Sequence, residues 1–216
     1  MLMLRSLIVF ALAALFATAA EAHPHVFVDA KEEIVFDADG KMTAIRHIWQ
    51  FDQAFTAFAI QGLDANGDGK LSDDELQPLA KVNVDSLKDY HYFTRLKVNG
   101  RRAPVEAPSE YWLDFHDSRL TLFYTLPLKT PTAVGPNTTL EVFDPEYFVA
   151  FNFVKHQAIT LAGAPANCKA HYAPPHELDA AIMAKLAAIP ADQRDLPDEL
   201  ADAASSLAAQ ITIACS

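Results

Sequence analysis

Residues 25–51 read HVFVDAKEEIVFDADGKMTAIRHIWQF, and their alternation decides the fold. Apolar and polar residues alternate up to Phe36, Ala38-Asp39-Gly40 supplies a turn, and alternation resumes from Lys41, which predicts a β-hairpin. Val26, Val28 and Ile34 on one run, and Ile45, Trp49 and Phe51 on the other, belong on one buried face. Matching the two sets places His25 roughly opposite Asp52 on the other, more polar face. His47 falls beside Trp49 on the apolar face, where the expectation is a hydrogen-bonded core histidine and not a ligand.

On the C-terminal side the period changes. Residues 52–63, DQAFTAFAIQGL, carry Phe55, Phe58, Ala59 and Leu63 at helical spacing. A second helical pattern runs through Leu76, Leu79, Asn83 and Leu87 toward Tyr90, with Pro78 just past its first turn, where it can kink the helix. From Tyr92 the period returns to two. YFTRLKV, EYWLDF, RLTLFYTLPL, TTLEVF, FVAFNFV and AITLAG read as strands, punctuated by Asn99-Gly100, Asp117-Ser118 and the Pro-rich stretch 127–136. After Cys168, HYAPPH (171–176) reads as a linker before Ala-rich helical stretches at about 176–189 and 197–210. The predicted fold class is α+β. A β-rich, sandwich-like body over 23–170 carries an inserted EF-hand-like helix–loop–helix at about 52–90, and a helical C-terminal tail covers 171–216.

Toward the N-terminus, Met1–Leu4 and Arg5 make a short basic head, residues 7–16 are an unbroken apolar run, and Ala20-Glu21-Ala22 fits a small-x-small cleavage pattern. Residues 1–22 therefore read as a secretory signal peptide. A rival cut after Ala19 would leave an Ala-Glu-Ala extension. No later stretch reaches membrane-spanning length, so the expected product is exported, periplasmic and not membrane-spanning. The net charge of −11 argues against nucleic acid and anionic membrane as partners, and suits cations. Cys168 and Cys215 are the only two cysteines. In an oxidising compartment the expectation is one disulfide tying the C-terminus to the body. A cysteine-based metal site or nucleophile is the alternative, but neither residue has a partner at ligand spacing.

One motif carries specific chemistry. Residues 64–75, DANGDGKLSDDE, match the calcium-loop pattern D-x-[DN]-x-[DN]-G-x5-E at every required position. Ca²⁺ takes several hard oxygens. Asp64, Asn66 and Asp68 supply side-chain oxygens, Lys70 its carbonyl, Ser72 a direct or water-mediated oxygen, and Glu75 both carboxylate oxygens. Gly69 permits the sharp reversal, Leu71 is the residue such loops turn inward, and Ser72 with Glu75 forms a capping box for the outgoing helix. A turn-rich helix–turn–helix without metal is the bland alternative. A single loop of this kind fits a structural brace better than a sensor.

The second candidate is the trimmed N-terminus, His23-Pro24-His25. Cleavage after Ala22 presents the His23 α-amine and ring together, a chelate suited to Cu²⁺, Ni²⁺ or Zn²⁺, and His25 can add a second ring. Pro24 lacks an N–H, so a grip through successive deprotonated amides is not available. Asp52 or Asp29 could complete the set. The alternative is that the two histidines do nothing.

AHPHVFVDA, IRHIWQFDQAFTAFAIQGLD, ELQPLAKVNVDSLKDYHYFT, YWLDF, LTLFYTLPL and EVFDPEYFVAF, taken in order, resemble the domain-of-unknown-function 1007 family over about residues 22–170. Members are described as periplasmic components of an uncharacterised ABC-type transport system, many encoded near nickel/cobalt permeases. The resemblance implies handling of a divalent transition metal (Ni²⁺, Co²⁺, Zn²⁺ or Cu²⁺) with an inner-membrane metal permease as partner, and it carries over no catalytic residues. No Ser/His/Asp or Cys/His arrangement stands out either, so the chain reads as a metal-handling protein and not an enzyme. A copper-dependent redox enzyme using His23, and a calcium-stabilised interaction module with no second metal, are the rival readings.

Overall fold

The computed structural model describes residues 24–154, 157–190, 193 and 196–216. The leader expected over 1–22, and His23, lie outside the described residues. The expected hairpin is β1 (Val26–Phe36) and β2 (Lys41–Phe51). Asp37 holds its turn, since one carboxylate oxygen accepts from the Asp39 and Lys41 N–H groups at 3.0 and 2.9 Å. Val26, Val28, Ala30 and Ile34 are buried on one face together with Ile45, Trp49 and Phe51, as the alternation predicts.

The register differs from the expected one by two residues. Val28 pairs with Phe51, and the Asp52 N–H donates to the Phe27 carbonyl at 2.9 Å. Phe27, not His25, therefore lies across from Asp52. A slip of two residues leaves every side chain on its own face, so the apolar pattern cannot tell the two registers apart.

After β2 come α1 (Gln53–Ala59), α2 (Asp73–Leu87) and a short 3₁₀ segment, Lys88–Phe93. The remaining strands are β3 (Thr94–Val98), β4 (Arg101–Arg102), β5 (Glu110–His116), β6 (Arg119–Ala133), β7 (Thr138–Val142), β8 (Val149–Phe153), β9 (Ile159–Ala162), β10 (Cys168–Ala173) and β11 (Ala209–Cys215). One sheet has the order β5-β6-β2-β1-β8, with β9 also paired to β1, and the other runs β10-β11-β7-β3-β4. Pairing is antiparallel except for β8 and β9, which run parallel to β1. Trp49, Leu122 and Leu126 of the first sheet share one buried cluster with Leu96, Leu140, Ile211 and Ile213 of the second. The fold is thus an α+β sandwich, and the helix–loop–helix is the passage from the first sheet to the second.

The C-terminal region contributes more than helices. α3 (Ala180–Ala187) and α4 (Asp198–Ser206) occupy the two expected helical stretches and bury Leu186, Ile189 and Leu200 in a small cluster of their own. The chain then returns as β11, between β10 and β7. The second expected helix therefore stops short of residue 210, and a boundary at 170 falls inside β10. Cys168 and Cys215 pair across β10 and β11 and are disulfide-bonded, as expected.

The core holds one polar cluster. Glu32 and His47 are both buried, with their side chains 2.6 Å apart, a contact that is short but not aligned as a hydrogen bond. The Trp49 indole N–H donates to the other Glu32 oxygen at 3.1 Å, and Tyr124 stacks on the His47 ring at 4.4 Å. Burial, and next the Glu32 carboxylate, push the Tyr124 phenol well above its ordinary pKa. His47 is thus the polar core histidine its position predicts.

Candidate metal centre

Both helices that frame residues 64–75 are fixed to the sandwich. Asp52 is the N-cap of α1: one carboxylate oxygen accepts from the Phe55 N–H at 2.8 Å, the other from the Phe27 N–H of β1 at 2.8 Å. One turn on, the buried Thr56 hydroxyl accepts the Leu120 N–H of β6 at 3.1 Å. α2 buries Leu76, Ala80 and Val84, one face at i, i+4, i+8, and continues through Pro78. Its start has the expected capping box between Ser72 and Glu75. The segment 64–75 therefore has two anchored ends, and only its own chemistry sets its shape.

Within the segment nearly every ligand-type oxygen organises the backbone. One Asp64 oxygen accepts from the Gly67 and Asp68 N–H groups at 2.7 and 3.1 Å, and the other from Gly69 at 2.9 Å. Asn66 accepts from the Asp68 N–H and Asp68 from the Lys70 N–H, each at 2.8 Å. Glu75 reaches back across the loop, accepting the Ala65 N–H at 2.9 Å with one oxygen, and the Ser72 N–H and hydroxyl at 2.9 and 2.8 Å with the other. Gly69 has φ +78°, the reversal that only glycine adopts freely, and Leu71 packs toward the core. Hydrogen bonds from Ser72, its backbone first and then its hydroxyl, hold the Glu75 carboxyl below the ordinary glutamate pKa against a smaller opposing desolvation, with the least help from the Ala65 and Asn66 backbones.

The donor set fits Ca²⁺ in kind. Asp64, Asp68 and Glu75 are carboxylates, Asn66 an amide, Lys70 a main-chain carbonyl and Ser72 a hydroxyl, all hard oxygens on one turn. Asp73 and Asp74 add negative charge in the first turn of α2. Among the described residues, no three His, Cys, Asp or Glu side chains come together as a metal-holding group. The loop carboxylates point instead at backbone N–H groups.

The N-terminal candidate is less assembled. His25 packs its ring on Phe148 at 4.7 Å between centroids, and its backbone N–H donates to the Phe148 carbonyl at 2.9 Å. Asp52 holds two backbone N–H groups, one per oxygen, and caps a helix. The structure thus places Asp52 two residue pairs inward from His25 and gives it a structural task that sequence reading missed. An Asp immediately before a helical pattern is the signal that could have found it. Asp144 was missed in the same way. It is buried, accepts from the Glu146, Phe148 and Val149 N–H groups at 2.9–3.0 Å, and so shapes the turn on which His25 rests.

Comparison with known proteins gives a family and no activity. An uncharacterized protein of Haemophilus influenzae is 23% identical over 182 residues, which are 83% of this chain and 85% of that protein. An uncharacterized 15.5 kDa protein in the trpE 3′ region of Spirochaeta aurantia is 34% identical over 104 residues, 45% of this chain and 70% of that protein. The family described as protein of unknown function, DUF1007, matches residues 8–215. This corrects the expectation that the resemblance ends near residue 170, and the physical reason is β11: the second sheet is incomplete without it. The chain belongs to the DUF1007 family.

Proposed function

We propose that the protein is a calcium-braced, periplasmic metal-binding protein that handles a divalent transition metal for a membrane transport system. The observation that carries the calcium part is the loop 64–75. Its Asp, Asn, Asp, Gly and Glu stand at the required positions, its glycine reversal is formed, and it joins two helices anchored on the sandwich. The ion neutralises part of the negative charge of Asp64, Asp68 and Glu75, and so fixes α1 relative to α2. The disulfide supports export, and no described helix is long and apolar enough to cross a membrane.

The transition-metal part rests on the His23 amine and ring with His25, and on the described role of the family in transport. His23→Ala with His25→Ala should abolish binding of Ni²⁺, Co²⁺, Zn²⁺ or Cu²⁺ in equilibrium dialysis while leaving calcium binding intact. Unchanged binding of all four metals by the double variant would remove this half of the proposal.

A second reading is favoured by the roles of Asp52 and His25. One caps α1 and the other packs on Phe148. On that reading the protein is a calcium-stabilised interaction module with no second metal, and the double variant retains full function in the cell.

A further inference from the structure

We infer that the space between the helix pair and the first sheet is a binding site for a small, uncharged aromatic or hydrocarbon molecule. A cavity of about 220 Å³ lies there, floored by Val28, Trp49 and Leu122 of the sheet and walled by Phe55 of α1 and Leu87 of α2. It opens to solvent between α2 and the turn before β8, so its apolar walls stay in contact with water until something covers them. An engineered apolar cavity of about 150 Å³ takes up benzene and stays dry, so this one has room for a substituted single ring.

The lining specifies the chemistry. Seven aromatic side chains border the cavity, and its wall is overwhelmingly apolar. Besides the Tyr90 phenol, three polar groups of the lining have donors engaged elsewhere. The Asn83 amide donates to the Leu79 carbonyl, the Ser86 hydroxyl to the Val82 carbonyl, and the Trp49 indole N–H to Glu32. A wall with so few donors and acceptors disfavours charged or strongly polar molecules. Ser86 and Phe148 are exposed, which marks the mouth between α2 and the turn before β8.

The backbone beside the cavity is strained. His91, Tyr92 and Phe93 have φ of 53°, 58° and 49°, three consecutive non-glycine residues in the left-handed region. Such residues are each unfavourable, persist where surrounding structure over-determines them, and cluster at active sites, ligand clamps and switch regions. This turn swings Phe93 into the wall of the cavity and buries Tyr92 in the core. A half-open apolar pocket and a strained turn thus occur together, and a bound apolar molecule would cover the exposed apolar wall that the turn helps to build.

Toluene is the probe, titrated into the mature protein and followed by methyl NMR shifts of Val28, Leu122 and Val149, with glycerol as the polar control. The expected result is saturable shifts confined to these methyl groups with toluene and none with glycerol. Leu87→Trp, which fills the cavity from its half-buried rim, should weaken binding roughly tenfold or more. Val82→Ala, on the exposed outer face of α2 and outside the cavity lining, should bind as wild type does, and an unchanged far-UV circular dichroism spectrum of Leu87→Trp separates loss of binding from loss of folding. Absence of saturable shifts up to the solubility of toluene would overturn the inference. So would equal binding by wild type and a folded Leu87→Trp. Shifts at these methyl groups that follow protein concentration instead of toluene would overturn it in favour of a second copy seated on this surface.

Discussion

Mutation of Glu75 to Gln isolates the calcium brace from the fold that carries it. Gln has one acceptor oxygen where Glu75 uses two, so it can keep the Ser72 N–H bond that makes the capping box but gives up the one from the exposed Ala65 N–H, which water can replace; the capping box and the metal-free helix should survive. What is lost is one negative charge and the bidentate closure that Ca²⁺ demands at the last position of such a loop. Extracellular loops of this type bind with Kd of roughly 10⁻⁴ to 10⁻³ M. At about 10 mM calcium, mass action then stabilises the folded state by about 1.4–2.7 kcal/mol. For a protein of this size that corresponds to a rise in Tm of about 3–11 °C over the chelated protein. Thermal unfolding followed by circular dichroism, with calcium, with chelator and with magnesium, reads this directly. Wild type should show the rise with calcium, and Glu75→Gln should show little or none, from a chelated baseline lower by no more than the one lost hydrogen bond, about 1 kcal/mol. An equal rise in both proteins, or no rise in wild type, refutes the reasoning.

Three further outcomes follow from the core, the loop and the sheet edge. Glu32→Leu leaves the buried His47 and the Trp49 N–H without their partner and should destabilise by about 3–5 kcal/mol in urea unfolding. Adding His47→Leu should restore much of that loss, and a double variant no better than the single one would contradict the pairing. Because the folded Glu75 pKa lies below its ordinary value, its hydrogen bonds to Ser72 are at full strength above the ordinary glutamate pKa and weaken as pH falls through the lowered one. Carboxyl ¹³C titration should show that lowered midpoint, and Ser72→Ala should move it back up toward an ordinary glutamate; an unmoved midpoint would contradict the assignment. Replacing both Cys168 and Cys215 with Ser opens a link spanning 47 positions of sequence. Loop closure of that length is worth about 4 kcal/mol, or about 8–16 °C of Tm. A drop of only a few degrees would mean that β10 and β11 keep each other in register unaided.

The sequence is legible where a residue's task is local. The loop 64–75 could be read position by position, because glycine at a reversal and oxygen donors at fixed offsets leave few alternatives, and the capping box is where the spacing predicts it. His47 could be placed in the core because alternation fixes its face. The same alternation put Glu32 on the inner face with Ala30 and Ile34, yet a charged residue there passed unnoticed because its partners, His47 and Trp49, lie on the neighbouring strand. Register was legible only to within two residues, for the reason of side-chain parity, and that hid the pairing of Phe27 with Asp52. β11 was obscured by the alanines that precede it, since ADAASSLAA extends a helical pattern up to the alternating ITIAC. The left-handed turn at His91–Phe93 contains no glycine, so nothing in the sequence announced it. It exists because the packing of Tyr92 and Phe93 outweighs the local preference against it.

Native mass spectrometry of the protein purified from the periplasm, with and without mild chelator, tests the central claim most directly. The account predicts a chain beginning at His23 that carries one calcium ion held by residues 64–75, absent in Glu75→Gln, together with a chelator-sensitive transition metal lost in the His23→Ala/His25→Ala variant. A correctly trimmed chain with no calcium in wild type, or with the same calcium content in Glu75→Gln, would contradict it.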